Sequence, residues 1–326
     1  MGAIESMRRW RCRLVVLATV AFVLANILAY RHAGAFFIYT GNGVRTPPPE
    51  SLTWPDRLRL LVRGIQVPKP VSHTTPAAWM LAYENVMVPG RDGLTLSGWV
   101  IPSARTNIVA VVFHGYSSEK SGMLHEAAAL HDLGYTVVLV DFPGHGGSPG
   151  FQTTLGWDEA RDVAAVVEWV TTTWPEHRVL AYGHSMGGVA VLRAMAVYGT
   201  RLDAAIVESV FDSLPEAIRE RFRLMRVPPF PGAEVLLFWG SVRLGINGFA
   251  HDAVAYARAV EVPTLVSHGR DDNRAPWQRA QSVYAALAGP KHWLLVDGAG
   301  HVQVCLAAPE AWATEVASLL GDPRKP

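Results

Sequence analysis

Val179-Leu180-Ala181-Tyr182-Gly183-His184-Ser185-Met186-Gly187-Gly188-Val189-Ala190-Val191-Leu192 is the stretch whose reading decides the fold. Its first four residues are apolar and read as a buried strand, and the apolar stretch from Met186 to Tyr198 reads as a helix. Between them the Gly-x-Ser-x-Gly pattern puts a serine on a sharp turn from strand into helix. Glycines two places either side, with Gly188 next, let strand and helix approach each other. The hydroxyl of Ser185 is thereby presented at the start of a helix. A serine hydroxyl is a poor nucleophile near neutral pH, so this placement has chemical use only with a base for its proton and N–H donors for the oxyanion.

Working outward, Val86 to Val88 and Leu94 to Ile101 flank a turn, Pro89-Gly90-Arg91-Asp92-Gly93, and read as an antiparallel hairpin. After it come short, continuously apolar runs at Ile108 to Phe113, Thr136 to Val140, Val179 to Tyr182, Ala204 to Val207, Thr264 to Ser267 and Trp293 to Val296. Continuous rather than alternating hydrophobicity implies strands covered on both faces. Helical stretches lie between or after them, at Glu119 to Leu133, Trp157 to Thr173, Met186 to Tyr198, Trp277 to Ala288 and Ala311 to Leu320. The order predicts an α/β fold with a mostly parallel sheet, a leading antiparallel hairpin and helices on both faces. More than fifty residues separate Val207 from Thr264, and that insertion, about 211–260, reads either as a cap over the site or as a packed helical excursion.

His114-Gly115-Tyr116 follows the strand Ile108 to Phe113, where the backbone N–H of Tyr116 can pair with that of Met186 as an oxyanion hole, with His114 and Gly115 in the binding loop. In this context the chain resembles the α/β-hydrolase superfamily over roughly residues 80 to 320, and more narrowly its serine aminopeptidase-like and monoacylglycerol lipase-like members. The resemblance implies an acid after a later strand and a histidine after the last one. His268-Gly269-Arg270-Asp271-Asp272-Asn273-Arg274-Ala275-Pro276 looks like the superfamily's acid loop, which makes Asp272 the acid and Asp271 its nearest rival. Glu208 and Asp212, after the strand Ala204 to Val207, are further alternatives whose plain roles are capping and turns. Asp297-Gly298-Ala299-Gly300-His301 follows the last strand and implies His301 as the base. His184 adjoins the nucleophile and is expected to point away from it, His114 and His268 to be structural, and His145 to shape the site. The order Ser185, Asp272, His301 is that of the α/β-hydrolases.

The sequence contains 29 Lys and Arg against 28 Asp and Glu, a balance without the clustered basic charge that nucleic acid requires. Cys12 and Cys305 have no metal-ligand spacing, and neither a metal nor a cofactor is expected. Leu14 to Tyr30 carries no charge, follows Arg8, Arg9, Arg11 and Arg13, and as a helix would be about 25 Å long. It is expected to anchor the protein as a single membrane span within residues 1–35, with the remaining chain on the exoplasmic side by the positive-inside rule. The rival readings are a signal peptide cleaved at Ala33-Gly34-Ala35 and a buried core helix. Residues 36–79, rich in proline, are expected to form an extended tether with one short helix, Leu58 to Gly64, ahead of a hydrolase domain over 80–326.

The expected function is that of a serine hydrolase acting on an ester or amide of a small, lipid-like molecule through an acyl-enzyme. An acyltransferase on the same scaffold and a non-catalytic, membrane-tethered binding protein are the competing readings.

Overall fold

The computed structural model describes residues 2–41, 43–47, 51–301 and 303–321. Eight strands form one sheet in the order β1-β2-β4-β3-β5-β6-β7-β8. They are β1 (Glu84–Pro89), β2 (Thr95–Ile101), β3 (Ile108–Phe113), β4 (Thr136–Val140), β5 (Arg178–His184), β6 (Ala204–Glu208), β7 (Thr264–Gly269) and β8 (Lys291–Val296). The leading hairpin is antiparallel, β2 pairs antiparallel with β4, and all later pairings are parallel. Strand β3 accounts for the continuous apolar runs: Val109, Val111 and Phe113 enter one core while Ile108, Ala110 and Val112 enter the other.

The first core is covered by α4 (Glu159–Thr173), α5 (Met186–Tyr198), α8 (Ala253–Ala257) and α9 (Trp277–Ala286). The second is covered by α3 (Leu124–Asp132), α10 (Val304–Ala307) and α11 (Pro309–Leu319), whose Trp312 is fully buried. Two further helices, α6 (Leu214–Leu224) and α7 (Gly232–Leu244), fill the long insertion. The insertion divides between its two readings. Helix α6 brings Arg221 and Met225 to the wall of the central cavity. Helix α8 buries Ala253, Tyr256 and Ala257 in the core, so the covering part ends before it rather than at residue 260.

The amino-terminal helix α1 (Gly2–Phe37) is long and apolar enough to cross a membrane, and its residues 5–25 are exposed throughout. The segment after it departs from the expected tether. Phe37, Tyr39 and Leu52 are buried, and Tyr39 N donates to Phe151 O while Thr40 N donates to Val67 O. The prolines prevented strands but not docking, because three apolar side chains found the domain wall. Helix α2 (Trp54–Arg63) also begins earlier than expected, since Pro55 occupies its first turn, where a missing N–H costs nothing. Packed structure therefore starts within the last turns of α1, where Ala33 and Phe37 are buried, and not near Met80.

Tyr39 ties this segment to the domain most directly. Its hydroxyl donates to His145 Nε2 (2.8 Å) and accepts from Ser117 N (3.1 Å). Tyr39→Phe leaves both partners buried and unpaired, and should lower the unfolding free energy by about 1–3 kcal/mol in urea titrations of the full chain. An unchanged midpoint would mean that the segment is not docked.

Candidate active site

Ser185 is held at φ +50° and ψ −112°, a backbone conformation that side chains other than glycine rarely adopt. Its amide donates to Glu208 O at the end of the neighbouring strand β6 (2.7 Å). The flanking glycines are required by contact. A Cβ on Gly183 would lie 2.5 Å from the backbone of Gly187 and Gly188, and one on Gly187 would lie 2.4 Å from Phe113 O. Only hydrogen at both positions lets β3, β5 and α5 meet beneath the serine.

The later loops arrive from the ends of β7 and β8. Asp271 N donates to Ala299 O (2.8 Å), fastening the first loop to the second. Asp272 is buried and accepts from the amides of Arg274 and Ala275, both at 2.9 Å. His301 Nδ1 donates to Asp272 Oδ2 at 2.6 Å, which puts the proton on Nδ1 and leaves Nε2 as the nitrogen available to an incoming hydroxyl. His268 Nε2 donates to Ala275 O (2.7 Å) and lies 3.3 Å from the same carboxylate oxygen. Burial pushes the Asp272 carboxyl up, but hydrogen bonds from His268 and His301, the pull of His301 and the Ala275 amide prevail. They hold it well below the usual carboxylate range, so it is ionised at any physiological pH.

Ser185 and His301 both line a cavity of about 580 Å³. Gly115, Tyr116 and Ser117 from the loop after β3 line it too, and a Cβ on Gly115 would be 3.4 Å from Ser185 Cβ. Among the described residues the amides of Tyr116 and Met186 donate to no backbone carbonyl. The Tyr116 hydroxyl donates to Phe36 O at the end of α1 (2.9 Å), and burial pushes it up to about 12. The remaining walls include Phe36, Leu52, Leu60, Ile65 and Val67 from the segment expected to be a tether, with Met123, Met225, Arg45, Arg221 and Arg274.

Several expectations change here. His114 is fully buried, with Phe142 N donating to its Nε2 (3.0 Å), so it braces the ends of β3 and β4 and does not line the cavity as Gly115 does. Burial drives its ring down to about 4. His184 does not turn away from the site: it lines the cavity with its ring 5.2 Å from that of His301. Burial, then repulsion from His301, lowers it to about 3, so it stays neutral. Asp271 is exposed, and Asp212 pairs with Arg279 (3.1 Å). The cavity walls from residues 36–67 had no readable signal except scattered apolar residues among prolines, because what they cover is decided by docking.

Glu208 is not the acid partner of His301 but a clamp beneath the site. It is fully buried, its Oε1 accepts from Val304 N (3.1 Å) just past His301, and its Oε2 accepts from Ser267 Oγ (3.0 Å) on β7. With its carbonyl on Ser185 N, one residue joins the serine turn to β7 and to the start of α10. Glu126 of α3 faces the same interior, its carboxyl pushed well above the usual range by burial and by Glu208.

Strand order, the tight serine turn and an acid–histidine pair on later loops are arranged as in the α/β-hydrolase fold. Residues 104–226 match the family model described as serine aminopeptidase, S33. An uncharacterized protein of Mycobacterium tuberculosis is 28% identical over 302 residues, covering 89% of each chain. The lysophosphatidylserine lipase ABHD12 of Macaca fascicularis is 28% identical over 67% of this chain and 53% of its own length. An esterase of Pyrococcus furiosus superposes with a TM-score of 0.64 at 24% identity, covering 78% of this chain and 96% of that one. The chain has the α/β-hydrolase fold.

Burial pushes the Glu208 carboxyl up to about 7 against its hydrogen bonds, above the 4.5 of an unperturbed glutamate. A raised acid binds its proton more tightly in the folded state. The stability this confers is complete below about pH 4.5 and is lost as pH rises through about 7. Melting temperatures between pH 4.5 and 8 should therefore fall less steeply for Glu208→Gln than for the wild type, and parallel curves would refute the assignment.

Proposed function

We propose that this protein is a serine hydrolase that cleaves an ester bond through an acyl-enzyme, with Ser185 as nucleophile, His301 as base and Asp272 as the acid that orients it. The observation that carries the reading is the 2.6 Å hydrogen bond from His301 Nδ1 to buried Asp272, beside a serine held at positive φ in the same cavity. Nε2 of His301 takes the Ser185 proton as Oγ attacks the carbonyl carbon. The oxygen gains negative charge and is met by the amides of Tyr116 and Met186. Collapse expels the alcohol, protonated by His301, and a water activated by the same nitrogen releases the acid and restores Ser185. Asp272 stays ionised throughout and stabilises the imidazolium.

The substrate we infer is a lipid-like ester. Phe36, Leu52, Leu60, Ile65, Val67, Met123 and Met225 offer an acyl chain an apolar wall. The activity named for the ABHD12 relative, a lysophosphatidylserine lipase, points the same way. We further infer that α1 spans the membrane as an anchor. Arg8, Arg9, Arg11 and Arg13 precede its apolar run, which puts the amino terminus in the cytoplasm and the catalytic domain on the exoplasmic side.

A fluorophosphonate probe should label the native protein at Ser185, and labelling should vanish in Ser185→Ala and after denaturation. Asp272→Asn removes the acceptor that selects the His301 tautomer, and should lower kcat for p-nitrophenyl esters by on the order of 10³–10⁴ with little change in KM. Wild-type protein that neither labels nor turns over any chain length would leave only a binding role.

A further inference from the structure

Helix α7 is built unlike a helix that faces water. From Val235 to Val242 it carries no charge, with Glu234 before this run and Arg243 after it. One side is explained by packing, since Ala233, Leu236, Leu237 and Gly240 are buried. The other side is not. Phe238 and Val242 are 49% and 54% exposed and stand one helical turn apart, where a helix in solution would present charged groups.

The position of α7 against α1 supplies the reason. Trp239 Nε1 donates to Asn26 Oδ1 (3.0 Å), and the Trp239 ring meets Tyr30 edge-on at 5.3 Å between centroids. The Arg243 guanidinium sits over the Tyr30 ring at 4.7 Å. Asn26 lies five residues before Arg31, the first charge after the apolar run, and therefore about 7 Å along the helix axis inside it. If Arg31 marks the membrane surface, a side chain that bonds Asn26 reaches below that surface. Trp239 takes the depth typical of a tryptophan in the interfacial belt, and Arg243 takes the level of a snorkelling arginine.

We propose that α7 is an interfacial helix, lying in the headgroup–acyl boundary of the leaflet on the domain's side with Phe238 and Val242 in contact with lipid chains. The proposal rests on the reading that α1 spans the membrane. The occupant of this apolar face is then the bilayer, because α1 carries the adjoining Trp239 into it and Val235 to Val242 hold no charged group to keep in water. The consequence concerns substrate supply. Phe36, immediately after the span, lines the Ser185 cavity and accepts from the Tyr116 hydroxyl, so the cavity is held at the membrane surface and a single-chain ester can enter it from the leaflet.

The test uses the full chain in phosphatidylcholine vesicles, with Cys12→Ser and Cys305→Ala and single cysteines introduced as Phe238→Cys, Val242→Cys, Leu24→Cys and Ser282→Cys, each carrying a polarity-sensitive fluorophore. Brominated lipid should quench the labels at 24, 238 and 242 but not at 282, and aqueous iodide should do the reverse. Quenching at 24 with iodide access at both 238 and 242 overturns the proposal while leaving the span intact. No lipid quenching at 24 removes the span and the proposal with it. Labels at 238 and 242 shielded from iodide but untouched by brominated lipid would assign the face to a second protein surface and overturn it as well. In Phe238→Asp, turnover of a long-chain monoacyl ester embedded in vesicles should fall about tenfold, with a soluble p-nitrophenyl ester unaffected. Equal rates on both esters, or equal losses, would overturn it.

Discussion

The structure depends on one close approach, that of the β5–α5 turn to the end of β3. Gly183 and Gly187 have no room for a Cβ, and their contacts are with backbone atoms, which cannot move aside as a side chain could. That contact forces Ser185 into positive φ, and the Ser185 amide, lost to the helix ladder, is recovered by Glu208 O on the next strand. The strain is stored where a hydroxyl must stand clear of the backbone. The loops after β3, β6, β7 and β8 then only have to converge on a fixed point, at the edge of a parallel sheet where strand carboxyl ends meet.

Beneath that point lies an ionisable interior. Glu208 and Glu126 are both buried and both pushed up, whereas Asp272, a few residues beyond β7, is held down. The difference is hydrogen-bond supply. Asp272 receives two amides and His301, with His268 at 3.3 Å, enough to outweigh the loss of water. Glu208 receives the Val304 amide and the Ser267 hydroxyl, too little to offset its burial, so its carboxyl stays pushed up to about 7. Two buried carboxyls are thus divided into an ionised partner for His301 and a raised clamp between β6, β7 and α10.

The amino-terminal region links chemistry to location. The carbonyl of Phe36 accepts from Tyr116, Tyr39 accepts from the Ser117 amide, and residues as far as Val67 wall the cavity. The loop that carries the proposed oxyanion donor is therefore bonded directly to the end of the apolar helix. With α1 as the proposed anchor, α1, α7 and the loop after β3 form a single unit.

Much of this was legible in the chain. The continuous apolar runs at Ile108–Phe113 and Thr136–Val140 coincide with β3 and β4, since a strand covered on both faces has no polar side to disguise it. The Ser185 turn was readable because glycine spacing encodes a backbone contact locally. Asp272 and His301, the proposed acid and base, were picked out through the resemblance of their loops and the order of strands, which is a one-dimensional property. What only the tertiary structure decided depends on contacts between distant segments. That Glu208 braces β7 and α10, that His114 faces the core while His184 lines the cavity, and that Phe36, Leu52, Leu60, Ile65 and Val67 form a wall where a tether was expected all follow from docking. The pairing of Asn26 with Trp239, more than two hundred residues apart, is of the same kind: local sequence sets which side chains are apolar, but only packing sets what they meet.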